Sequence, residues 1–60
     1  MIGKLKTGDI LIANNSDKYD RTTKDMKYEV EKVQSIGFFI RDDTGTVIFP
    51  ISTSFRRAIG

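Results

Sequence analysis

Two apolar runs separated by a short acidic turn are the feature that most constrains how this chain folds. In residues 36–41 isoleucine or phenylalanine occupies every second position, which is the period of a half-buried β-strand, and residues 46–49 divide between two faces in the same way. Between the runs lies Asp-Asp-Thr-Gly at 42–45. Aspartate bonds back to nearby backbone N–H groups, and glycine adopts the left-handed conformation that many turns need. The segment predicts a β-hairpin, whose second strand ends at Pro50 or lies on a sheet edge, because proline donates no ladder hydrogen bond.

The rest of the chain divides into further short elements. A β-branched run over residues 9–14 stops at polar turn residues, which predicts the first strand. Residues 15–26 have no apolar period and predict a long polar loop, and long ordered loops are often functional. We interpret residues 51–55 as one short 3-10 turn that brings Phe55 into the core. Residues 56–59 then form a short closing strand.

Residues 26–33 fit two kinds of secondary structure. Their apolar and charged side chains alternate as in a strand. Helical spacing also fits, with residues 22–25 as a capping box, and a helix here would give an α+β protein. We favour the strand because the segment contains tyrosine and valine and because Gly37 soon follows. A break in the alternation near Lys32 is then a bulge or the end of the strand.

These elements predict one all-β domain over residues 1–60, a small five-stranded barrel. A chain of 60 residues without cysteine buries only about 60% of its unfolded surface and has no disulfide, so its stability is marginal. A closed or nearly closed barrel hides its strand edges, and self-association or a partner would add further burial. The residues expected to point inward are Ile10, Ile12, Tyr28, Val30, Phe38, Ile40, Ile48 and Phe55.

Four short motifs resemble the small SH3-like barrel proteins of tailed bacteriophages. They are a Gly-Asp strand start at 8–9, Lys-Tyr-Glu-Val at 27–30, the acidic hairpin at 42–45 and Ser-Thr-Ser-Phe at 52–55. The resemblance implies an SH3-like barrel and a phage origin. Most such proteins have no assigned function, so the resemblance implies no activity.

The composition argues against an enzyme. The chain has no histidine and no cysteine, which removes the commonest general base and the best nucleophile. Ser52 and Ser54 have no base near them in the sequence. The carboxylates at 42–43, and Asp17 with Asp20, do not follow the ligand spacing of a calcium loop. We therefore expect no catalytic residue, no metal site and no cofactor.

Charge and hydropathy narrow the location and the partners. The net charge is only +2, from ten basic and eight acidic residues that are well mixed, so nucleic-acid contact is permitted and not required. No apolar run approaches the length of about 18 residues that suggests a membrane span. The lysines near the N-terminus are not followed by an apolar stretch of signal-peptide length. We expect a cytoplasmic protein, in the host cytoplasm if a phage encodes it, with no membrane partner.

The long polar loop is the preferred binding site. It carries an aromatic side chain among cations, which suits an acidic protein surface or a phosphate. The resemblance to SH3-like barrels also implies partner recognition through the first long loop. The expected function is a non-catalytic binder that modulates a host protein or host defence. Its expected contact residues are Lys18, Tyr19, Arg21, Lys24 and Phe39.

Two alternatives remain open. Residues 37–45 and 47–52 resemble the aromatic strands of cold-shock domains, whose outward aromatics stack on bases, each stack being worth about 1–3 kcal/mol. In that reading Phe39 and Phe49 form the platform of a single-stranded nucleic-acid binder, unless Phe39 covers a small patch or an oligomer contact. A homo-oligomer that sequesters a small phosphorylated ligand is the other alternative. The side chains expected near phosphates are Lys32, Arg41, Arg56 and Arg57, with Lys4 and Lys6 beside the last two.

Overall fold

Five strands form a single antiparallel sheet in the computed structural model, which describes residues 4–58. The order across the sheet is β4-β3-β2-β1-β5. The predicted all-β fold is confirmed, as is the strand interpretation of the segment at 26–33. The elements are β1 (Ile10–Ala13), β2 (Lys27–Gln34), β3 (Gly37–Arg41), β4 (Val47–Ile48), a 3-10 helix (Ser52–Ser54) and β5 (Phe55–Arg57).

The predicted hairpin joins β3 to β4. The Gly45 N–H donates to the Asp42 carbonyl at 3.0 Å, and the Asp42 N–H donates to the Thr46 carbonyl at 2.8 Å. Gly45 has a φ of 88°, which glycine adopts without the steric cost that a side chain would bring. The turn chemistry read from the sequence is therefore the chemistry that closes the hairpin.

β2 pairs with a different neighbour along each half of its length. Its first half pairs with β1, where Glu29 lies opposite Ile10. Its second half pairs with β3, where Lys32 lies opposite Phe39, and the register shifts between Val30 and Lys32. This shift is the bulge predicted near Lys32, and a bulge bends its strand and increases the local twist. The bend lets one strand serve both halves of a curled sheet.

The curled sheet buries one cluster of apolar side chains on its concave face. The Phe55 ring is at its centre, with the rings of Tyr28 and Phe38 packed edge-on at centroid distances of 6.0 and 5.9 Å. Leu5 and Ile48 are partly buried against the cluster. Within residues 4–58 the edge strands β4 and β5 are not hydrogen-bonded to each other, so the sheet is not a closed barrel. The buried apolar residues are Leu11, Ala13, Tyr28, Val30, Phe38, Ile40 and Phe55.

The predicted inward face of β1 is wrong. Leu11 and Ala13 are buried, whereas Ile10 is 38% exposed and Ile12 is half-buried on the other face. Leu11 lies directly opposite Tyr28 in the ladder, and residues opposite each other share a face. All four residues of β1 are apolar, so alternation within the strand could not select the inward pair. The register with β2 selects it.

The last strand completes the sheet beside β1. It begins at Phe55, directly after the predicted 3-10 turn, and that residue is buried as expected. Of the predicted closing strand, Ile59 lies outside the described residues. Backbone bonds from Asn14 to the Ser54 carbonyl at 2.8 Å and from Ala58 to the Ile10 carbonyl at 3.1 Å extend the pairing. No helix within residues 4–58 has the length and apolar character needed to cross a membrane.

Candidate functional site

Residues 18–21 form the tip of the long loop, and their backbone is fixed by hydrogen bonds. Below the tip, Asp17 and Thr22 exchange two backbone bonds of 2.9 and 3.0 Å. The Asp17 carboxylate also accepts bonds from the N–H groups of Tyr19 at 2.8 Å and of Asp20 at 3.1 Å. An aspartate that bonds to the backbone two residues on stabilises a turn. The tip is therefore an ordered turn within a loop that the sequence showed only as polar.

Tyr19 projects from this tip. Its side chain is 84% exposed, and Lys18 beside it is exposed as well. An aromatic side chain has few rotatable bonds and a large contact area, so tyrosine is over-represented among the residues that dominate binding energy at protein interfaces. The ordered backbone lowers the entropy that binding would cost. The tip thus presents one large anchor with little to reorganise.

Arg21 ends the tip and attaches it to the β3–β4 turn. Its Nε donates to Oδ2 of Asp42 at 2.8 Å, and its carbonyl accepts from the Asp43 N–H at 2.9 Å. The φ of Arg21 is 58°, a left-handed value that is uncommon for a residue other than glycine. The side chain expected to contact a partner is thus engaged within the fold, while 48% of it remains exposed.

Lys24 lies two residues beyond the bridge that closes the tip. Its N–H donates to Oγ of Ser16 at 2.9 Å, which joins the two sides of the loop. The residue is exposed. Of the four loop residues predicted to bind a partner, the structure therefore places Lys18, Tyr19 and Arg21 on the tip and Lys24 near its base.

Asp43 connects the loop to the core. Its Oδ1 accepts from the Tyr28 hydroxyl and its Oδ2 from the Thr23 hydroxyl, both at 2.7 Å. The Tyr28 oxygen accepts in turn from the Thr23 N–H at 2.7 Å. Burial first, and then the bond to the Asp43 carboxylate, raise the pKa of Tyr28 above 10.0. Sequence reasoning assigned this aspartate to its turn alone; the available signal was that the turn holds two aspartates.

Asp42 is the buried carboxylate of the same turn. It accepts bonds from the Thr44 hydroxyl at 2.6 Å, the Thr44 N–H at 2.9 Å and the Thr46 N–H at 3.0 Å, besides the bond from Arg21. These bonds favour the ionised form over the opposing effect of burial. The Thr44 hydroxyl contributes most, and together the bonds lower the pKa of Asp42 to about 2. Asp42 therefore stays charged and holds both its own turn and the loop.

Phe39 and Phe49 form a ring pair on the convex face of the sheet. Their centroids are 4.9 Å apart with the planes tilted by 51°. Phe39 is half-buried and Phe49 is 43% exposed, while Phe38, the neighbour in β3, points into the core. A Cβ built on Gly37 would lie 2.6 Å from Cζ of Phe49. Only glycine at that position leaves room for the ring as it is placed.

Two of the cations predicted near phosphates lie on the same face as this ring pair. Lys32 is opposite Phe39 across the β2–β3 ladder. Arg41 follows two residues after Phe39 and so shares its face. Its guanidinium contacts the Glu31 carboxylate at 3.4 Å and donates to the Gly45 carbonyl at 2.8 Å. One of the two cations is thus bound by acceptors within the protein.

The other two predicted cations lie on β5 and point to opposite faces. Arg56 donates to Asn14 Oδ1 at 2.7 Å and to Asp25 Oδ1 at 3.1 Å. Arg57 lies 3.5 Å from the Asp9 carboxylate and donates to the Lys4 carbonyl. The structure therefore brings Arg57 beside Lys4 and gives the two arginines separate structural contacts.

Comparisons with known proteins assign no family to the chain. No protein-family model matches it, and no curated protein or solved structure is significantly similar. Within residues 4–58, no three acidic side chains converge where they could hold a metal ion.

Proposed function

We propose that this protein is a non-catalytic binding module that docks a partner protein through the loop tip at 18–21. The observation that carries the proposal is the placement of Tyr19, 84% exposed on a backbone held by Asp17 and Thr22. Interface hot spots are enriched in tyrosine and are effective where the anchor is already ordered. Tyr19 is the expected anchor, and Lys18 adds a charged contact at its side.

The distribution of charge supports a protein as the partner. The tip carries cations and the carboxylate of Asp20, so it presents mixed charge. Each of the four arginines contacts an acceptor inside the protein. Binding to nucleic acid depends on several neighbouring cations that are free to neutralise phosphates, and of the two cations on the tip Arg21 is paired with Asp42. A mixed surface with one aromatic anchor suits a folded protein better than a polyanion.

We also propose that the curled sheet is an open form of the SH3-like barrel and that the partner is a bacterial host protein. The first part is supported by the strand order with β2 shared between two halves and by the 3-10 turn before β5. The second part is supported by the resemblance of four sequence motifs to phage barrel proteins. Modulation of a host protein or host defence would follow from occupying that partner's surface.

Single-stranded nucleic acid is a second candidate ligand, favoured by the Phe39–Phe49 pair. Two adjacent rings on a sheet face offer a stacking surface for bases, worth about 1–3 kcal/mol per base. Lys32 lies opposite Phe39 and is the cation of this face that has no ion pair among residues 4–58. This candidate uses the convex face of the sheet and not the loop tip, so mutation separates the two.

The deciding experiment is an affinity pull-down of the tagged protein from bacterial lysate, with and without nuclease. Tyr19→Ala tests the tip and Phe39→Ala tests the ring pair, so each variant is the control for the other. We expect the wild type to retain one protein partner at matching stoichiometry, with or without nuclease, and Phe39→Ala to retain it as well. The affinity of Tyr19→Ala for that partner should be at least about thirtyfold lower, which corresponds to about 2 kcal/mol of binding free energy. Tyr19→Phe keeps the ring and should retain most of the binding.

The other outcomes are equally informative. Nucleic acid that is retained only without nuclease, and is lost in Phe39→Ala, would replace the proposal by the second candidate. A protein partner that Tyr19→Ala binds as well as the wild type does would contradict the assignment of the tip. An empty column under both conditions would contradict both candidates and favour an oligomer with a small phosphorylated ligand.

A further inference from the structure

We infer that Asp43 is a positioning residue for the loop tip. From the β3–β4 turn, its carboxylate binds Thr23 and Tyr28 and thereby fixes the direction in which Tyr19 projects. The inference rests on the proposed function for what the tip binds, but the ordering of the tip can be measured without a partner. It assigns to a turn residue a role in a loop that lies 20 residues away in sequence from it.

The contacts form a continuous path from the core to the loop. The ring of Tyr28 is buried and packs edge-on against Phe55. Its hydroxyl donates to one Asp43 oxygen, and the other oxygen accepts from the Thr23 hydroxyl. One carboxylate oxygen of Asp43 is thus bonded to β2 and the other to the loop. The loop just beyond the tip is tied to a residue whose position the core determines.

A second set of bonds holds Arg21, the residue directly before Thr22 in the pair that closes the tip. The Asp43 N–H donates to the Arg21 carbonyl at 2.9 Å, and the Arg21 Nε donates to Asp42 at 2.8 Å. Arg21 also has the left-handed φ of 58°, a conformation that persists where surrounding contacts impose it. Residues 21 and 23 are therefore held by two consecutive residues of the turn, on either side of Thr22.

This arrangement has a consequence for binding. A loop that samples several orientations offers its anchor in the competent one for only a fraction of the time, and the apparent affinity falls by that fraction. Bonds from a separate hairpin raise that fraction without touching the partner. Loss of the Thr23–Asp43 bond should weaken binding through the order of the tip while Tyr19 itself is intact.

The test measures backbone amide hydrogen exchange by NMR in the free protein. Thr23→Val is nearly the same shape and lacks the hydroxyl, Thr23→Ser keeps the hydroxyl, and Asp43→Ala removes both acceptors. The reporters are the amides of Asp17 and Thr22, which close the tip. The amide of Val30, bonded to the Asp9 carbonyl at 2.8 Å, reports whether the whole domain has been destabilised.

We expect the reporter amides to exchange at least about tenfold faster in Thr23→Val and Asp43→Ala, since a bond to a carboxylate is among the stronger ones. In Thr23→Ser the exchange rates of the reporter amides should stay within about twofold of the wild type. In Thr23→Val the exchange rate of the Val30 amide should also stay within about twofold of the wild type. If Asp43→Ala does not fold, the comparison of Thr23→Val with Thr23→Ser still tests the inference. Unchanged reporters in Thr23→Val, or equal acceleration of the reporters and Val30, would overturn the inference.

A binding measurement on the same variants separates the inference from the function on which it rests. With the partner retained by the wild type, Thr23→Val should bind at least about threefold more weakly than Thr23→Ser. Equal binding by these two variants, while Tyr19→Ala fails to bind, would overturn the positioning role and leave the tip as the site. Full binding by Tyr19→Ala would instead reject the tip, whatever the exchange data show.

Discussion

Phe38 and Phe55 pack edge to face with their ring centroids 5.9 Å apart, although β2 and β1 lie between the strands that carry them. Neighbouring strands are about 4.8 Å apart, so in a flat sheet β3 and β5 would be separated by about 14 Å. The contact requires the sheet to curl over its own concave face. A single layer of short strands thereby encloses a core that would otherwise need a second layer.

Replacing Phe55 by alanine should remove a large part of the free energy of unfolding. Deleting a buried phenylalanine costs about 3–5 kcal/mol, and a domain of this size has a total stability of only about 3–9 kcal/mol. Urea denaturation followed by circular dichroism measures the change. Phe38→Ala should behave in the same way. Phe39→Ala, on the convex face, is the control and should remain folded, whereas unfolding of that variant would place Phe39 in the core.

The two faces of β1 can be distinguished by a pair of truncations. Leu11→Ala should lower the free energy of unfolding by about 2–5 kcal/mol because its side chain is fully buried. Ile10→Ala, one residue away and 38% exposed, should cost about 1 kcal/mol or less. Midpoints of chemical denaturation give both values. A larger loss for Ile10→Ala would mean that the register with β2 is shifted by one residue.

Gly37→Ala should destabilise the protein through the ring of Phe49. The new methyl group would lie 2.6 Å from Cζ of that ring, so the ring has to move. Overpacking of this kind costs about 1–3 kcal/mol. In a Phe49→Ala background the same substitution should cost less, because the obstructing ring is gone and the effects of contacting residues are not additive. Equal costs in both backgrounds would mean that another contact at Gly37 is responsible.

Acid should weaken the protein through Asp42. Its pKa is about 2 in the folded state, below the ordinary value of 3.8, so folding favours the ionised form. The resulting stability is fully present above about pH 4 and is lost as the pH falls through the folded-state pKa. Between about pH 4 and pH 2, the denaturation midpoint of the wild type should decrease as the pH is lowered. Asp42→Asn should show a shallower fall, and an unchanged slope would mean that other carboxylates cause it.

The local elements of the fold could be predicted from the sequence, because their signals are contained within a few residues. The turn at 42–45 needs only its own aspartate and glycine chemistry, and the bulge near Lys32 shows as a break in alternation. The inward face of β1 could not be predicted. Leu11 and Ile10 are both apolar, and only pairing with Tyr28, 17 residues later in the chain, decides between them.

The candidate site was predicted only in part, for a similar reason. An exposed Tyr19 among polar residues follows from composition, and the structure places it on the surface. The bonds that order the tip join Thr23 and Arg21 to the turn at 42–43, and no periodicity links such distant positions. Likewise, nothing in the sequence indicates that Arg56 and Arg57 bind separate acceptors instead of forming a patch. Long-range polar pairing is the information that the residue pattern lacks.

The difference between the two kinds of cation has a chemical consequence. Each arginine bonds within the fold, whereas none of the lysines has an ion pair among residues 4–58. Acylation of lysine amines would therefore invert the net charge of the molecule while its internal contacts stay in place. Dicarbonyl reagents, which modify guanidinium groups, would act on the side chains that make those contacts, so they should destabilise the fold where acylation of lysine does not.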